Sequence, residues 1–187
     1  MKTNDWLEFF KNHYDTKIFH FNHLKLLSKM NNYSLRVSLN RLNDRKIIKR
    51  ICRGYYANPF NLPNLEEISS WIYQPSYISL QAALSSWGIL SQIPLILTCV
   101  TTRLPRTFKT SFGIIEYHQI KKIYFWGFIR QNNYFIAEKE KALLDFIYLN
   151  KNKNIESTLS DLNLSEINHR KLKSYTEKMN LSIPKLF

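Results

Sequence analysis

The stretch SLRVSLNRLNDRKIIKRICRGYYA, residues 34–57, constrains the fold of this chain more than any other. Leu35, Leu39 and Leu42 recur at i, i+4 and i+7, the spacing that lines one face of an α-helix with apolar side chains. Arg36, Asn40 and Arg41 then fall on or beside the opposite face. Ile47, Ile48 and Ile51 follow among Lys46, Lys49, Arg50 and Arg53, and Arg53-Gly54 offers a turn into Tyr55-Tyr56-Ala57. A short helix followed at once by a hairpin with a cationic tip is the order of a recognition helix and a wing.

The upstream residues complete that unit. Asp5 to His13 predicts a helix with Trp6, Phe9 and Phe10 facing inward. Lys17 to Phe21 is a short segment able to join the hairpin as a third strand. His23 to Lys29 predicts a further helix with Asn22 as its N-cap, since an Asn side-chain oxygen accepts a free N–H of the first turn. Met30 to Tyr33 is then the turn, with Asn32 or Ser34 capping the next helix. Helix, strand, helix, turn, helix, hairpin is a winged helix-turn-helix, expected over residues 1–58.

Charge agrees with that placement. Of 27 Lys and Arg against 14 Asp and Glu in 187 residues, residues 1–58 hold 12 against 4. Clustered positive charge attracts a polyphosphate by counterion release and steers its encounter. Cys52 and Cys99 lie far apart in apolar settings and read as reduced thiols of a cytoplasmic protein. The N-terminus lacks a signal-peptide core, and no apolar run is long enough for a membrane span.

Asn58-Pro59-Phe60-Asn61-Leu62-Pro63-Asn64 reads as a turn-rich joint and domain boundary. Beyond it, residues 65–150 are expected to form a mixed α/β domain, giving an α+β chain overall. Leu65 to Ile72 predicts a helix. Pro75 to Leu84 reads as a turn running into a small-residue helix that ends at Gly88. Pro94 to Thr102, Gly113 to Ile120, Tyr124 to Arg130 and Tyr134 to Ala137 predict strands. Glu138 to Leu149 predicts an amphipathic helix with Ala142, Leu143, Phe146, Ile147 and Leu149 on its apolar side. Residues 151–187 are expected to add helices near 155–162 and from a Ser165 cap to Met179.

Several motifs taken together resemble one known family, the AbiEi-type antitoxins of type IV, abortive-infection toxin–antitoxin systems. They are Arg53-Gly54-Tyr55-Tyr56 at the wing, Pro75-Ser76-Tyr77-Ile78-Ser79-Leu80 with Ala83-Leu84 and Gly88, Gln92-Ile93-Pro94, Thr98-Cys99-Val100-Thr101, and Ala137 with Glu140-Lys141-Ala142-Leu143-Leu144-Asp145. Their order and spacing run across residues 18–150. The resemblance implies a transcriptional repressor of its own operon, acting at inverted repeats in the promoter, which also counters a nucleotidyltransferase-like toxin. It implies no enzyme activity, and the residue spacings themselves predict no cofactor and no metal site. The other reading is a winged-helix regulator whose C-terminal domain senses a ligand or partner, with no toxin.

Residue chemistry gives the DNA reading its particulars. Arg36 and Arg41 can bond guanine bidentately, and Asn40 can do the same for adenine. Ser34 is placed to reach a phosphate or to cap its helix. Lys49, Arg50 and Arg53 are expected to contact phosphates along the minor groove, although charges on an edge strand also block aggregation. Trp87, Arg103, Arg106, Lys109, Lys121, Lys122 and Arg130 are expected in exposed loops as the antitoxin surface. Catalysis is disfavoured. Glu138 and Glu140 sit on a helical pattern without the acid-x-lysine spacing of a nuclease, and read as helix N-terminal charges, with Asp145 either capping or pairing internally. The sequence sets no second catalytic residue at useful spacing from His118 or His169, no Gly-x-Ser-x-Gly elbow surrounds Ser76 or Ser79, and no glycine-rich phosphate loop is present.

Overall fold

In the computed structural model, which describes residues 1–151 and 161–181, the chain is a mixed α+β protein with two sheets. The first 57 residues run α1 (Thr3–Asn12), β1 (Ile18–His20), α2 (Phe21–Ser28), α3 (Asn32–Asp44), β2 (Lys49–Cys52) and β3 (Tyr55–Ala57). This is the winged helix-turn-helix order. β3 lies between β1 and β2 with both pairings antiparallel, and Phe19 pairs with Tyr56. Leu35, Leu39 and Leu42 of α3 are buried, as their spacing demands. They pack with Trp6, Phe10, Phe19, Leu24, Ile48 and Tyr56 into the core of this unit.

The caps differ from those expected. The N-cap of α2 is His20, whose Nδ1 accepts from the Asn22 backbone N–H at 3.3 Å. Asn22 itself is already inside the helix, because the chain leaves β1 directly into α2 with no linker. The N-cap of α3 is Asn31, whose Oδ1 accepts from the Ser34 N–H at 2.8 Å. Ser34 is therefore the capped residue and not the cap.

After Ala57 the chain runs through residues 58–64 into α4 (Leu65–Ile72), β4 (Ser76–Ile78), α5 (Leu80–Ser86), β5 (Ile96–Thr101), β6 (Arg106–Thr110), β7 (Gly113–Gln119), β8 (Phe128–Gln131), β9 (Tyr134–Ala137) and α6 (Lys139–Asn150). The strands form one mixed sheet in the order β6-β7-β5-β4-β9-β8, with β5/β7 and β4/β9 parallel. β4 is a strand where the sequence reading had only a turn and helix; Tyr77 and Ile78 pair with Val100 and Cys99. β6 was not expected at all, since its alternation of Arg106, Thr107, Phe108, Lys109 and Thr110 is that of an edge strand with one apolar residue. The span read as a strand from Tyr124 divides into a 3-10 turn, Lys122–Tyr124, and β8. α7 (His169–Met179) is capped by Asn168, not Ser165. Ser165 lies in a separate 3-10 turn, held by the Asn163 side chain. Most of the helix expected near 155–162 falls outside the described residues. Leu162 makes an isolated bridge to Leu90.

The two units share the wing sheet. Its Phe19 and Tyr56 belong to the helical core, whereas Ile18, Ile51 and Ala57 belong to the core of the second unit. A bulge between Arg50 and Cys52 frees Ile51 from the pairing register. The Ile51 carbonyl then accepts from the Ser111 N–H at 3.0 Å. Asn58, fully buried, donates through Nδ2 to the carbonyls of Phe10, His13 and Thr16 at 3.0–3.2 Å. Glu67, also buried, accepts from Lys17 Nζ at 2.7 Å and from Asn133 Nδ2 at 3.0 Å.

Candidate nucleic-acid interface

A cleft of about 510 Å³ opens between α3, the wing and the start of α2. Arg36 and Asn40 enter it from α3, one turn apart on the helix. Arg50 and Arg53 enter it from the wing. His20, Phe21 and Asn22 close the third side, and Tyr56 forms the floor. No acidic residue lines it, and none of the three arginines takes part in an ion pair among the described residues. The cleft therefore carries positive charge that no lining residue neutralises.

Local structure fixes the backbone around the cleft. Gly54 adopts φ +85°, the left-handed region a side chain disfavours, and so closes the wing turn. Its carbonyl accepts from the Phe21 N–H at 2.8 Å, which fixes the wing tip to the β1–α2 corner. The His20 ring rests 4.9 Å from that of Tyr55. The Arg50 main-chain N–H donates to Asn43 Oδ1 at 3.0 Å, joining the wing to the end of α3. The Arg36 guanidinium carbon sits 5.6 Å from the centroid of the Phe21 ring. Burial raises the Tyr56 hydroxyl above its ordinary pKa, and the neighbouring Arg50 and Arg36 charges partly offset this. Tyr56 packs into the helical core and Tyr55 against the core of the second unit.

Of the seven residues read from the sequence, the cleft gathers Arg36, Asn40, Arg50 and Arg53. Arg41 lies on the other flank of α3, near the start of α1. Ser34 is half-buried in the first turn of α3 and lines neither flank. Lys49 points its Nζ over the Phe112 ring at 4.0 Å, towards the second unit. Strand alternation accounts for the split: Lys49 and Arg50 are adjacent in β2 and so face opposite sides. His20, Phe21 and Asn22 were missed as cleft residues. The signal available for them was the strand pairing that sets His20 against Tyr55, beside the wing turn.

Compared with models of known protein families and with curated proteins, the sequence matches none of them. The structure brings residues of two of the motifs quoted above together. Tyr77 and Ser79 of the first meet Lys141 and Asp145 of the second in a cluster that no solvent reaches. The Asp145 Oδ2 accepts from Tyr77 Oη at 2.9 Å and from Ser79 Oγ at 2.8 Å. Lys141 Nζ donates to Tyr77 Oη at 3.0 Å and pairs closely with Asp145 Oδ1. Burial pushes the Lys141 pKa down and the Asp145 pKa up, each opposed by the other's charge. With every polar atom engaged internally and no access, the cluster is a fold-holding element.

The other residues read as candidates are also accounted for. Glu138 accepts from Lys171 and from the Tyr175 hydroxyl, and Glu140 from the Asn168 N–H, so these acids dock α7. Trp87, expected in an exposed loop, is half-buried and donates through Nε1 to the Ala137 carbonyl at 2.8 Å, because it is the C-cap residue of α5 packed against β9. Arg106 lies in β6 with its guanidinium 4.7 Å from the Phe108 ring, and Arg103 lies 4.3 Å from the Tyr73 ring. Lys109, Lys121, Lys122 and Arg130 are exposed. Cys99 is fully buried, which raises its thiol pKa to about 12, a poor nucleophile. Among the described residues no cluster of three His, Cys, Asp or Glu is arranged to hold a metal, and no helix is long and apolar enough to cross a membrane.

Proposed function

We propose that this protein binds double-stranded DNA through α3 and the wing, represses its own operon at inverted repeats in the promoter, and serves as the antitoxin of a type IV system. The observation that carries the DNA reading is the cleft of Arg36, Asn40, Arg50 and Arg53, which has exposed cations on two sides and no carboxylate. Arg36 and Asn40 meet base edges in the major groove, and Arg50 and Arg53 meet phosphates beside it. The protein acts in the cytoplasm, where its promoter is.

The antitoxin reading is supported by the resemblance. The partner is a nucleotidyltransferase-like toxin, countered directly or through a shared target. Growth rescue in cells expressing the neighbouring toxin gene tests this reading. Absence of protection by the full-length protein removes the antitoxin role and leaves DNA binding standing.

The DNA reading is tested by gel shift with the operon promoter against random duplex at physiological salt. Preference for the promoter is expected. Arg36→Ala and Asn40→Ala should each reduce that preference by about 1–3 kcal/mol. Equal binding of both duplexes by the intact protein would sink the repressor reading.

A further inference from the structure

α3 has a second flank. Arg36 and Arg41 are five residues apart, about 140° around a helix of 3.6 residues per turn. Leu35, Leu39 and Leu42 occupy the inward face between them. Where Arg36 meets the wing, Arg41 meets the beginning of α1. A cleft of about 350 Å³ lies there, lined by Lys2, Thr3, Trp6, Ser38, Arg41 and Arg45 among others. It holds three cations, two hydroxyls and no carboxylate. Asp5, the acid nearest in sequence, accepts the Lys2 backbone N–H at 2.7 Å instead.

Two features make this cleft more than a basic patch. α1 begins in it, so unpaired first-turn N–H groups and the positive end of the helix dipole lie at its mouth. Trp6 forms part of its wall and is only 1 % exposed. The Trp6 indole Nε1 is one of three buried side-chain polar atoms with no hydrogen-bond partner among the described residues. A buried N–H without an acceptor is unfavourable, and in a native structure it calls for one.

We infer that the cleft between α1 and α3 is an oxyanion site that takes a backbone phosphate of the DNA, on the side of the major groove opposite the wing cleft. The inference rests on the DNA-binding reading above. The B-DNA major groove is about 12 Å wide and a helix with its side chains about 10–12 Å across, so a recognition helix lies between two phosphate walls. The wing cleft faces one wall and the α1–α3 cleft the other. Arg41, read from the sequence as a base contact, thereby becomes a phosphate contact. It sets register on the duplex and reads no base.

The test uses full-length protein labelled at the indole nitrogens. The Trp6 signal is assigned by Trp6→Phe, and Trp71, Trp87 and Trp126 serve as references. Inorganic phosphate, promoter duplex and random duplex are titrated in turn. Each is expected to shift the Trp6 indole N–H. Arg41→Ala combined with Arg45→Ala should abolish the shift with phosphate. Arg41→Ala alone should weaken both duplexes by the same factor and flatten the slope of log K against log salt by about 1. A thermal melt matching the parent establishes that each variant is folded. Duplex binding that leaves Trp6 unshifted overturns the site, as does an Arg41→Ala loss confined to the promoter. A Trp6 shift with phosphate in a protein that binds neither duplex retains the oxyanion site but overturns DNA as its occupant, and the DNA reading falls with it.

Discussion

Around the wing cleft, Arg36, Arg50 and Arg53 stand exposed with no carboxylate beside them, whereas Lys141 in the second unit is wholly buried and ringed by Asp145, Tyr77 and Trp126. The contrast follows from solvation. An exposed cation keeps its water and costs the fold little, so it can be left for an outside partner. A buried one must be satisfied within the chain, because the desolvation penalty runs to several kcal/mol per ion. The location of each cation's counter-charge therefore separates a cluster that holds the fold from a cleft whose charge no lining residue neutralises.

The strongest way to break this comparison is to remove the internal counter-charge. Asp145→Ala strands Lys141 and takes the acceptor from both Tyr77 and Ser79. A loss of about 3–5 kcal/mol is expected, read as a lowered urea midpoint. Replacing both members, Lys141→Met with Asp145→Leu, should recover most of it. A loss below about 1 kcal/mol for Asp145→Ala would mean that the cluster is not a structural necessity. The corresponding change on the exposed side, Arg53→Ala, should leave the urea midpoint nearly unchanged.

Next in size is Asn58→Ala. One amide nitrogen, with two N–H donors, is shared among three carbonyls at the end of α1 and the approach to β1. Their loss inside the protein should cost about 2–3 kcal/mol. The variant also probes the joint between the units. Phe60 and Leu62 are 43 % and 55 % exposed, and a protease entering residues 58–64 should cut there. Asn58→Ala should accelerate the cut. First cleavage within 75–150 in both proteins would show that the joint is not the weakest segment.

Asn58 marks the limit of what the sequence discloses. The helix–hairpin order was legible because Leu35, Leu39, Leu42 and Gly54 act through local periodicity and backbone conformation. The joint around Asn58 read only as turn-forming, since nothing nearby tells that its amide reaches back to Phe10, His13 and Thr16. Lys141 shows the same limit. In Glu138 to Leu149 the acidic and basic residues look like the wet side of an amphipathic helix. α6 is covered on both sides, by α5 and by α7, so Lys141, Leu144 and Asp145 are buried together with Leu143 and Phe146. Cleft residues were legible from α3 and the wing, but not Arg41's flank, which depends on where α1 begins in space.

Acid supplies a smaller perturbation, aimed at the contact between the two regions. Burial raises the Glu67 pKa, but hydrogen bonds from Lys17, the Asn64 N–H and Asn133 outweigh it and hold the carboxyl below its ordinary 4.5. A depressed folded-state pKa contributes stability that is present above the unfolded value and lost as pH falls through the folded one. The parent protein should therefore lose stability below about pH 4.5 more steeply than Glu67→Gln does. Urea midpoints for the two proteins, taken from about pH 6 to about pH 3.5, give the difference. Parallel curves would mean that Glu67 is not held by Lys17 and Asn133 in solution.

The smallest expected effect decides to which side of the comparison Lys49 belongs. By sequence it is one of the wing cations, a neighbour of Arg50. Its Nζ nevertheless lies 4.0 Å from the Phe112 ring, and Phe112 belongs to the turn between β6 and β7. A cation over an aromatic ring at an exposed site contributes about 0.5–1 kcal/mol. A double-mutant cycle of Lys49→Ala and Phe112→Leu should recover a coupling of that size in stability. Lys49→Ala should then leave the salt slope of DNA binding unchanged, whereas Arg53→Ala should flatten it by about 1. If Lys49→Ala flattens the slope equally and shows no coupling to Phe112, Lys49 swings free to meet phosphate and belongs with the arginines of the cleft. If coupling is found, the wing's cations divide by strand face: one side is committed to the second unit and the other is left open for the nucleic acid.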